Sequence, residues 1–160
     1  MAILYVGRSD EARIASDIYD AVRGEGFSVW NENYPLYEDA LADAKAGCLF
    51  LLREGEITLA VASVEPVAED DDLPFFRICD GSHREISRVA VAPKFQGKGY
   101  AKEIMEKLIS HLKDGGVRSI HLLCAKQNLP AMAVYKALGF DFIGECHRYG
   151  ADYYVCEKLI

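Results

Sequence analysis

The sequence lacks the features that would place the chain in a membrane or in an oxidising compartment. No apolar run approaches the roughly 18 residues that a membrane span needs. The opening residues, MAILYVGRSDE, have no basic lead, so they do not resemble a secretory signal. The five cysteines are odd in number and none belongs to a CxxC pair, which argues against a disulfide framework or a structural zinc site. We therefore expect a cytoplasmic protein without membrane association.

Positive charge is also scarce. The chain has 18 Lys and Arg residues against 25 Asp and Glu residues, for a formal net charge of −7. General nucleic-acid binding needs a basic face, so we expect no nucleic-acid partner. The four histidines show no metal-ligand spacing along the chain, and we expect no metal site. They are His83, His111, His121 and His147.

The chain has enough hydrophobic residues to form a core. Hydrophobic residues make up 51% of the 160 residues and charged residues 27%, an ordinary share that excludes wholesale disorder. A chain of this length fits one domain, and neither a repeat nor a low-complexity linker divides it. We therefore expect a single domain over residues 1–160.

Hydrophobic periodicity predicts elements in the order βααββ followed by βαβαββ. The predicted strands cover residues 1–6, 48–53, 57–64, 84–92, 119–125, 140–146 and 153–159, and the predicted helices begin near residues 10, 36, 100 and 130. The strand–helix–strand step between residues 84 and 125 implies one parallel pairing inside an otherwise antiparallel sheet. We predict an α/β (α+β) fold, with a mixed, mostly antiparallel sheet of six or seven strands and helices on both faces.

The segment after the strand at 84–92 predicts an anion site. It reads Gln96-Gly-Lys-Gly-Tyr-Ala101 and opens an amphipathic helix. Gly97 and Gly99 let main-chain N–H groups turn toward a ligand, and the first amides of a helix have no internal partner and carry the positive end of its dipole. Such a turn suits a phosphate or a pyrophosphate. Residues 93–113 carry five lysines against two glutamates, so a positive island lies on an acidic chain.

Two familiar nucleotide sites fit this segment poorly. A dinucleotide fingerprint needs Gly or Ala at position 102, where the chain has Lys102, and no Gly-Lys-Ser/Thr is present. A dinucleotide-binding oxidoreductase is therefore disfavoured. The pattern Gln-Gly-x-Gly-x-Ala after Val91-Ala-Pro93 resembles instead the acetyl-CoA loop of the GNAT-type N-acetyltransferases. The downstream Asn128, Tyr135 and Gly139-Phe140 are similar to a second segment of that family.

The resemblance implies acetyl-CoA as co-substrate. Main-chain groups of Val89 and Val91 would pair with the pantetheine arm, and Asn128 would contact the pantetheine or its acetyl end. Tyr135 would be the general acid that protonates the leaving thiolate, although a core aromatic is the alternative for Tyr135 and a helix cap for Asn128. The pyrophosphate would be held by the amides of Gln96, Gly97, Lys98, Gly99, Tyr100 and Ala101.

The residues that would bind and deprotonate the amine acceptor are harder to identify from the sequence. Glu85 shares strand parity with Ser87 and resembles the base of some family members, whereas other members use water, and a solvated strand carboxylate is the alternative. Trp30, Glu32 and Tyr34 resemble the acceptor-side segment of some members, although a plain hydrophobic turn is equally compatible with them. The acidic run at residues 69–72 is either a solvated loop or a lip that draws in cationic acceptors.

The sequence thus predicts an N-acetyltransferase that moves the acetyl group to a primary amine by direct attack in a ternary complex. No cysteine lies in the glycine loop or beside Tyr135, so a covalent acetyl-enzyme is not favoured. The acidic balance favours a cationic acceptor, either a small molecule or a peptide. The alternative is a non-catalytic acyl-CoA-binding sensor of the same fold. The oligomeric state stays open, with a homodimer among the options.

Overall fold

The helices follow the spacing of apolar residues along the chain. The computed structural model describes residues 1–160 and places helices α1 at Ala12–Val22, α2 at Tyr37–Lys45, α3 at Tyr100–Asp114 and α4 at Leu129–Ala137. In α3 the buried residues Ile104, Met105 and Leu108 form one stripe, as an amphipathic helix requires. None of the helices combines the length and the apolar character that a membrane span needs.

Seven strands form one sheet. They are β1 at Ile3–Val6, β2 at Leu49–Glu54, β3 at Ile57–Glu65, β4 at His83–Val91, β5 at Ser119–Ala125, β6 at Asp141–Arg148 and β7 at Ala151–Leu159. Their order in the sheet is β1-β2-β3-β4-β5-β7-β6, and only the β4–β5 pairing is parallel. The predicted fold class is confirmed, including the single parallel step, and most boundaries differ from the prediction by one or two residues.

Helices cover both faces of the sheet. On one face α3 packs against a core that includes Phe50, Ala62 and Ile120. On the other face α1 and α2 pack against Leu51 and Val61. The alternation of side chains along β2 and β3 sends neighbouring residues to opposite cores, which explains why these two strands are apolar almost throughout.

The acidic run is ordered. Residues Glu69–Asp72, called the acidic turn below, form a single 3-10 turn after β3, and Asp70 within it is buried. Arg148 donates to Asp70 over 3.0 Å, and the Tyr149 hydroxyl donates to the same carboxylate over 2.9 Å. The β6–β7 hairpin therefore holds the acidic turn against the sheet, so this run is more than a solvated loop.

Candidate functional site

Strands β4 and β5 separate soon after they begin to pair. Their parallel register ends at the pair Glu85–His121. Three residues later Arg88 has a φ of 49°, and the register between β3 and β4 shifts at this point, which is a β-bulge. The bulge bends β4 away from β5, and the resulting gap, called the wedge below, is open to ligands.

A buried ion pair holds the bulge. Arg88 donates to both oxygens of Asp43, each over 3.0 Å, and its side chain is only 10% exposed. It also donates to the Tyr34 hydroxyl over 2.8 Å and contacts Glu65. A charged side chain is stable at such depth only when it is paired and hydrogen-bonded, so these contacts keep Arg88 in its left-handed conformation.

The wedge opens into a cavity of about 880 Å³. The cavity is acidic, because Glu65, Glu69 and Asp70 line it beside one arginine; a fourth carboxyl group, that of Glu85, also lines it. Its walls are rich in aromatic rings, from Trp30, Tyr34, Tyr149 and Tyr153. Negative charge beside aromatic faces favours a cationic ligand such as an ammonium group.

Tyr135 lies at the end of the cavity formed by β5 and α4. Its ring packs on Phe140 with 5.7 Å between centroids, and its hydroxyl has no hydrogen-bond partner in the chain. Burial raises the pKa of Tyr135, with a smaller contribution from the nearby thiols of Cys124 and Cys156. The phenol therefore keeps its proton at neutral pH, which a general acid must do. The fold thus brings two cysteines close to Tyr135, contrary to the expectation that none lies beside it. Both are buried, and burial raises the pKa of each thiol, so they stay neutral.

Glu85 lies in the same cavity and is almost fully buried. Burial raises the pKa of Glu85 far above its ordinary value, and the carboxyl group of Asp70, which is its hydrogen-bonding neighbour, raises it further. The carboxyl of Glu85 is therefore no solvated strand residue, and in this environment it holds a proton at neutral pH.

Two of the three predicted acceptor residues line the cavity. Trp30 packs edge-on against Tyr19 with 5.5 Å between ring centroids, and Tyr34 is fixed by Arg88. Glu32 is exposed and lies outside the cavity lining. Its position next to two aromatic residues is therefore a property of the turn. The acidic charge of the cavity comes instead from Glu65 of β3 and from the acidic turn.

Asn128 is the N-cap residue of helix α4, which is the structural alternative given for it above. Its Oδ1 accepts a hydrogen bond from the amide of Ala131 over 3.1 Å and caps α4. Because Asn128 also lines the cavity, its side-chain NH₂ group is free to donate to a ligand there.

The segment Gln96–Gly99, called the glycine loop below, presents free main-chain donors. The Gln96 amide is the exception among the predicted donors, since it donates to the carbonyl of Pro93 over 3.2 Å. No acceptor in the chain takes the other five predicted amides, those of Gly97, Lys98, Gly99, Tyr100 and Ala101. Gly97 and Gly99 have φ values of 76° and 86°, and a Cβ added at either residue would meet no protein atom within 4 Å.

Beyond Glu85 the main chain of β4 has no strand partner on the side of the wedge. The amide of Ala92 donates to the carbonyl of Leu59 in β3 over 3.0 Å. Since main-chain groups alternate along a strand, those of Val91 and Val89 face away from β3 and toward the wedge. The carbonyl of Val91 accepts from the Gln96 side chain over 3.2 Å. A ligand could add to β4 here as an extended strand does.

Comparison with known proteins decides the family. A family model described as the acetyltransferase (GNAT) family matches residues 15–140. The chain belongs to the GNAT family.

Solved GNAT-type structures share the whole fold. The GNAT-family acetyltransferase of Streptococcus agalactiae aligns with a TM-score of 0.82 at 18% identity, over 99% of this chain and 95% of that one. The structure of yncA from Salmonella typhimurium, solved with its cofactor acetyl-CoA, aligns with a TM-score of 0.79 at 18% identity, over 99% and 94% of the two chains. At this identity the likeness concerns the fold.

A curated relative matches part of the chain. The ribosomal protein bS18-alanine N-acetyltransferase of Haemophilus ducreyi is 34% identical over 77 residues, which are 47% of this chain and 53% of that relative. The chain thus spans about half the length of this relative.

Sequence reasoning missed two residues that shape this cavity, Arg88 and Asp43. Arg88 and Asp43 form its most buried ion pair, and Asp70 adds a carboxyl group to the cavity. The signal available for Arg88 was a charged side chain directly before the apolar residues 89–91 of β4. Asp43 gave none, because its burial depends on contacts with distant segments, whereas Asp70 belongs to the acidic run that the sequence offered as a lip for cationic acceptors.

Proposed function

We propose that this GNAT protein transfers the acetyl group of acetyl-CoA to a cationic primary amine. The observation that carries the proposal is the row of five free amides from Gly97 to Ala101, placed at the end of a strand whose main chain faces the wedge. Such a row is a preformed anion site at the N-terminus of α3. The cavity beside this strand is lined by Val89 of β4 and by Tyr135.

The residues fit coenzyme A in a defined order. The five amides would hold the pyrophosphate, and the open space beside Gly97 and Gly99 leaves room for it. Main-chain groups of Val91 and Val89 would pair with the amides of the pantetheine arm. The Asn128 side chain would donate to the far end of that arm. In this arrangement the thioester arrives in the cavity beside Tyr135.

The transfer then needs one bond to form and one to break. The uncharged amine attacks the thioester carbonyl, a C–N bond forms, and the C–S bond breaks. A main-chain N–H of β4 that faces the wedge would stabilise the oxyanion. Tyr135 gives its proton to the leaving thiolate. Glu85 is the proposed acceptor of the amine proton, and the positive charge of the incoming ammonium favours its ionised form.

The acidic, aromatic cavity supports a cationic acceptor. Carboxyl groups of Glu69 and Asp70 attract an ammonium group, and the rings of Trp30 and Tyr153 offer faces for it. The relative from Haemophilus ducreyi is named for acetylation of an alanine of a ribosomal protein. We extend the acceptor class to peptide N-terminal amines as well as small amines.

A thiol-release assay tests the proposal. Acetyl-CoA is incubated with a panel that holds a polyamine, an aminoglycoside and a peptide with a free N-terminus, each beside its N-acetylated form. We expect thiol release with free amines only. Tight binding of acetyl-CoA without release across the panel would favour the non-catalytic sensor instead. Thermal stabilisation by NAD and not by acetyl-CoA would reject both.

A further inference from the structure

Four side chains with metal-binding atoms meet beneath the acidic turn. They are Asp71, Cys79, His83 and His121, and one ligand atom from each lies within 4.8 Å of all the others. They come from the acidic turn, the segment before β4, the start of β4, and β5. Their spacing along the chain suggests no metal site, and only the fold brings them together.

His121 is already oriented as a ligand. Its Nε2 lies 2.8 Å from the carbonyl oxygen of Ile78 and 3.4 Å from a carboxylate oxygen of Glu157. Both of these atoms only accept, so Nε2 carries the ring hydrogen and Nδ1 bears the lone pair. Nδ1 is buried without a hydrogen-bond partner, and the side chain is 1% exposed. An unpaired nitrogen at this depth is costly unless something binds it.

The surroundings keep the His121 ring in place. Phe76 stacks on it with 3.6 Å between centroids, and His83 stacks on it at 4.7 Å. The His83 ring must turn out of this stack to point its Nε2 at the same metal ion as Nδ1 of His121. Glu157 accepts from the amides of Arg77 and Ile78 over 2.9 and 3.1 Å, which fixes the segment that carries Cys79. Metal-binding histidines in proteins have this kind of supporting contact on their second nitrogen.

The distances suit a tetrahedral ion. The Cys79 Sγ lies 3.8 Å from the Nε2 of His83, which lies 3.1 Å from Asp71 Oδ2. The Nδ1 of His121 lies 3.7 Å from Asp71 Oδ1. Tetrahedral zinc with bonds of about 2.0–2.3 Å places its ligand atoms about 3.3–3.7 Å apart. One thiolate, two imidazoles and one carboxylate favour Zn²⁺ over Mg²⁺ or Ca²⁺.

We propose that Asp71, Cys79, His83 and His121 bind one Zn²⁺ ion that ties the acidic turn to β4 and β5. All four ligands come from the protein, which is the arrangement of a structural site. The ion lies beside the acceptor cavity, since Asp71 follows the cavity residue Asp70. It therefore fixes one wall of that cavity.

Binding requires two proton movements. The Cys79 thiol releases its proton to solvent and binds as the thiolate. In the metal-free chain, Nδ1 of His83 accepts a hydrogen bond from the Gly81 amide over 3.2 Å. The ring hydrogen of His83 is therefore on Nε2, which faces Asp71. When zinc takes Nε2, this hydrogen moves to Nδ1 and the contact with Gly81 breaks. Zinc affinity accordingly rises with pH.

Metal titration of the purified chain tests the proposal, independently of any acetyl transfer. The chain is first stripped of metal with a chelator and dialysed, and Zn²⁺ is then added. We expect the chain to take up one Zn²⁺ by elemental analysis and its melting temperature to rise. Co²⁺ in place of Zn²⁺ should give the visible bands of a tetrahedral site and a thiolate charge-transfer band. Failure of the chain to take up either ion would overturn the proposal.

Variants separate this site from adventitious binding. Cys79 is exposed, so we expect the Cys79→Ser variant to fold. The substitution should lower Zn²⁺ affinity by more than about 10-fold and abolish the charge-transfer band. Asp71→Asn should also weaken binding. The matched controls Cys48→Ser and His147→Ala lie outside the cluster and should bind as the wild type does. Wild-type affinity and spectrum in Cys79→Ser would refute the assignment.

Discussion

Arg88 and Asp43 form a two-point ion pair across the sheet face that carries α2, with both hydrogen bonds at 3.0 Å. Arg88 is the residue at which β4 bulges, and Asp43 lies on α2, so the pair joins a helix to the strand that opens the wedge. The Ser63 hydroxyl donates to the same carboxylate over 2.6 Å. The shape of the cavity therefore depends on a buried charge contact.

Removing Asp43 should be strongly destabilising. Asp43→Ala leaves the Arg88 guanidinium with Glu65 as its remaining ionic partner, at a position where its side chain is 10% exposed. Breaking a buried pair from one side costs about 3 kcal/mol or more in the free energy of unfolding. Urea denaturation measures the change.

The control for this prediction is an exposed pair. Glu106→Ala removes the partner of Lys102 on the surface of α3, and the change should stay below about 1 kcal/mol. Equal losses in the free energy of unfolding for the two substitutions would show that the buried pair between Arg88 and Asp43 contributes no more stability than an exposed pair does.

Tyr135→Phe tests the general acid. The substitution keeps the ring that packs on Phe140, so the melting temperature should not change. It removes the proton that the leaving thiolate needs, and kcat should fall by about 10²–10³-fold with acetyl-CoA affinity unchanged. Steady-state kinetics and a binding titration separate the two quantities. Tyr5→Phe, on the edge strand β1, is the matched control, and an unchanged kcat in Tyr135→Phe would remove this residue from the mechanism.

The pH profile should reflect the raised pKa of Tyr135. A general acid works in its protonated form, so activity is lost as pH rises through its pKa, and burial moves this loss above the ordinary tyrosine value of about 10. The buried thiols beside it stay neutral there as well, since burial raises the pKa of Cys124 to about 11 and that of Cys156 further. We expect no alkaline loss of kcat below about pH 9. Replacing Tyr135 by 3-fluorotyrosine, whose phenol is more acidic, should move the loss to lower pH, and an identical profile would contradict the assignment.

Glu85→Gln tests the acceptor side of the cavity. The amide keeps the shape of the buried side chain and removes the proposed proton acceptor. We expect kcat/KM for the amine to fall by about 10²-fold or more, with the affinity for acetyl-CoA unchanged. Glu56→Gln in the exposed β2–β3 turn is the control. A full loss of acetyl-CoA binding in Glu85→Gln would indicate a structural defect, and unchanged kinetics would exclude a role in proton transfer.

The sequence could predict those parts of the protein that depend on neighbouring residues. The apolar stripe of α3, its start at Tyr100 and the glycine loop before it are local features, and the structure confirms the strand, turn and helix that they predict. Topology followed from one long connection between β4 and β5, because a strand–helix–strand step forces a parallel pairing.

The remaining features depend on contacts between distant segments. The burial of Asp70 requires Arg148 and Tyr149 from the β6–β7 hairpin, and nothing near Asp70 in the sequence indicates this. The meeting of Cys79 with His121 likewise depends on Glu157, which holds the segment before β4 against β7. Such arrangements are set by the packed sheet, so local patterns cannot predict them.

Gly99→Ala tests whether the free amides hold the pyrophosphate. Gly99 has a φ of 86°, and its added Cβ would meet no protein atom within 4 Å, so it would occupy the open space where we propose that the pyrophosphate binds. Coenzyme A affinity should therefore fall by more than about 10-fold, measured by calorimetry. Left-handed strain alone costs about 1–2 kcal/mol of stability. Gly55→Ala carries the same kind of strain in a remote turn, with a φ of 61°, and should lose comparable stability while it binds coenzyme A normally. Equal affinities in the two variants would mean that the pyrophosphate lies elsewhere.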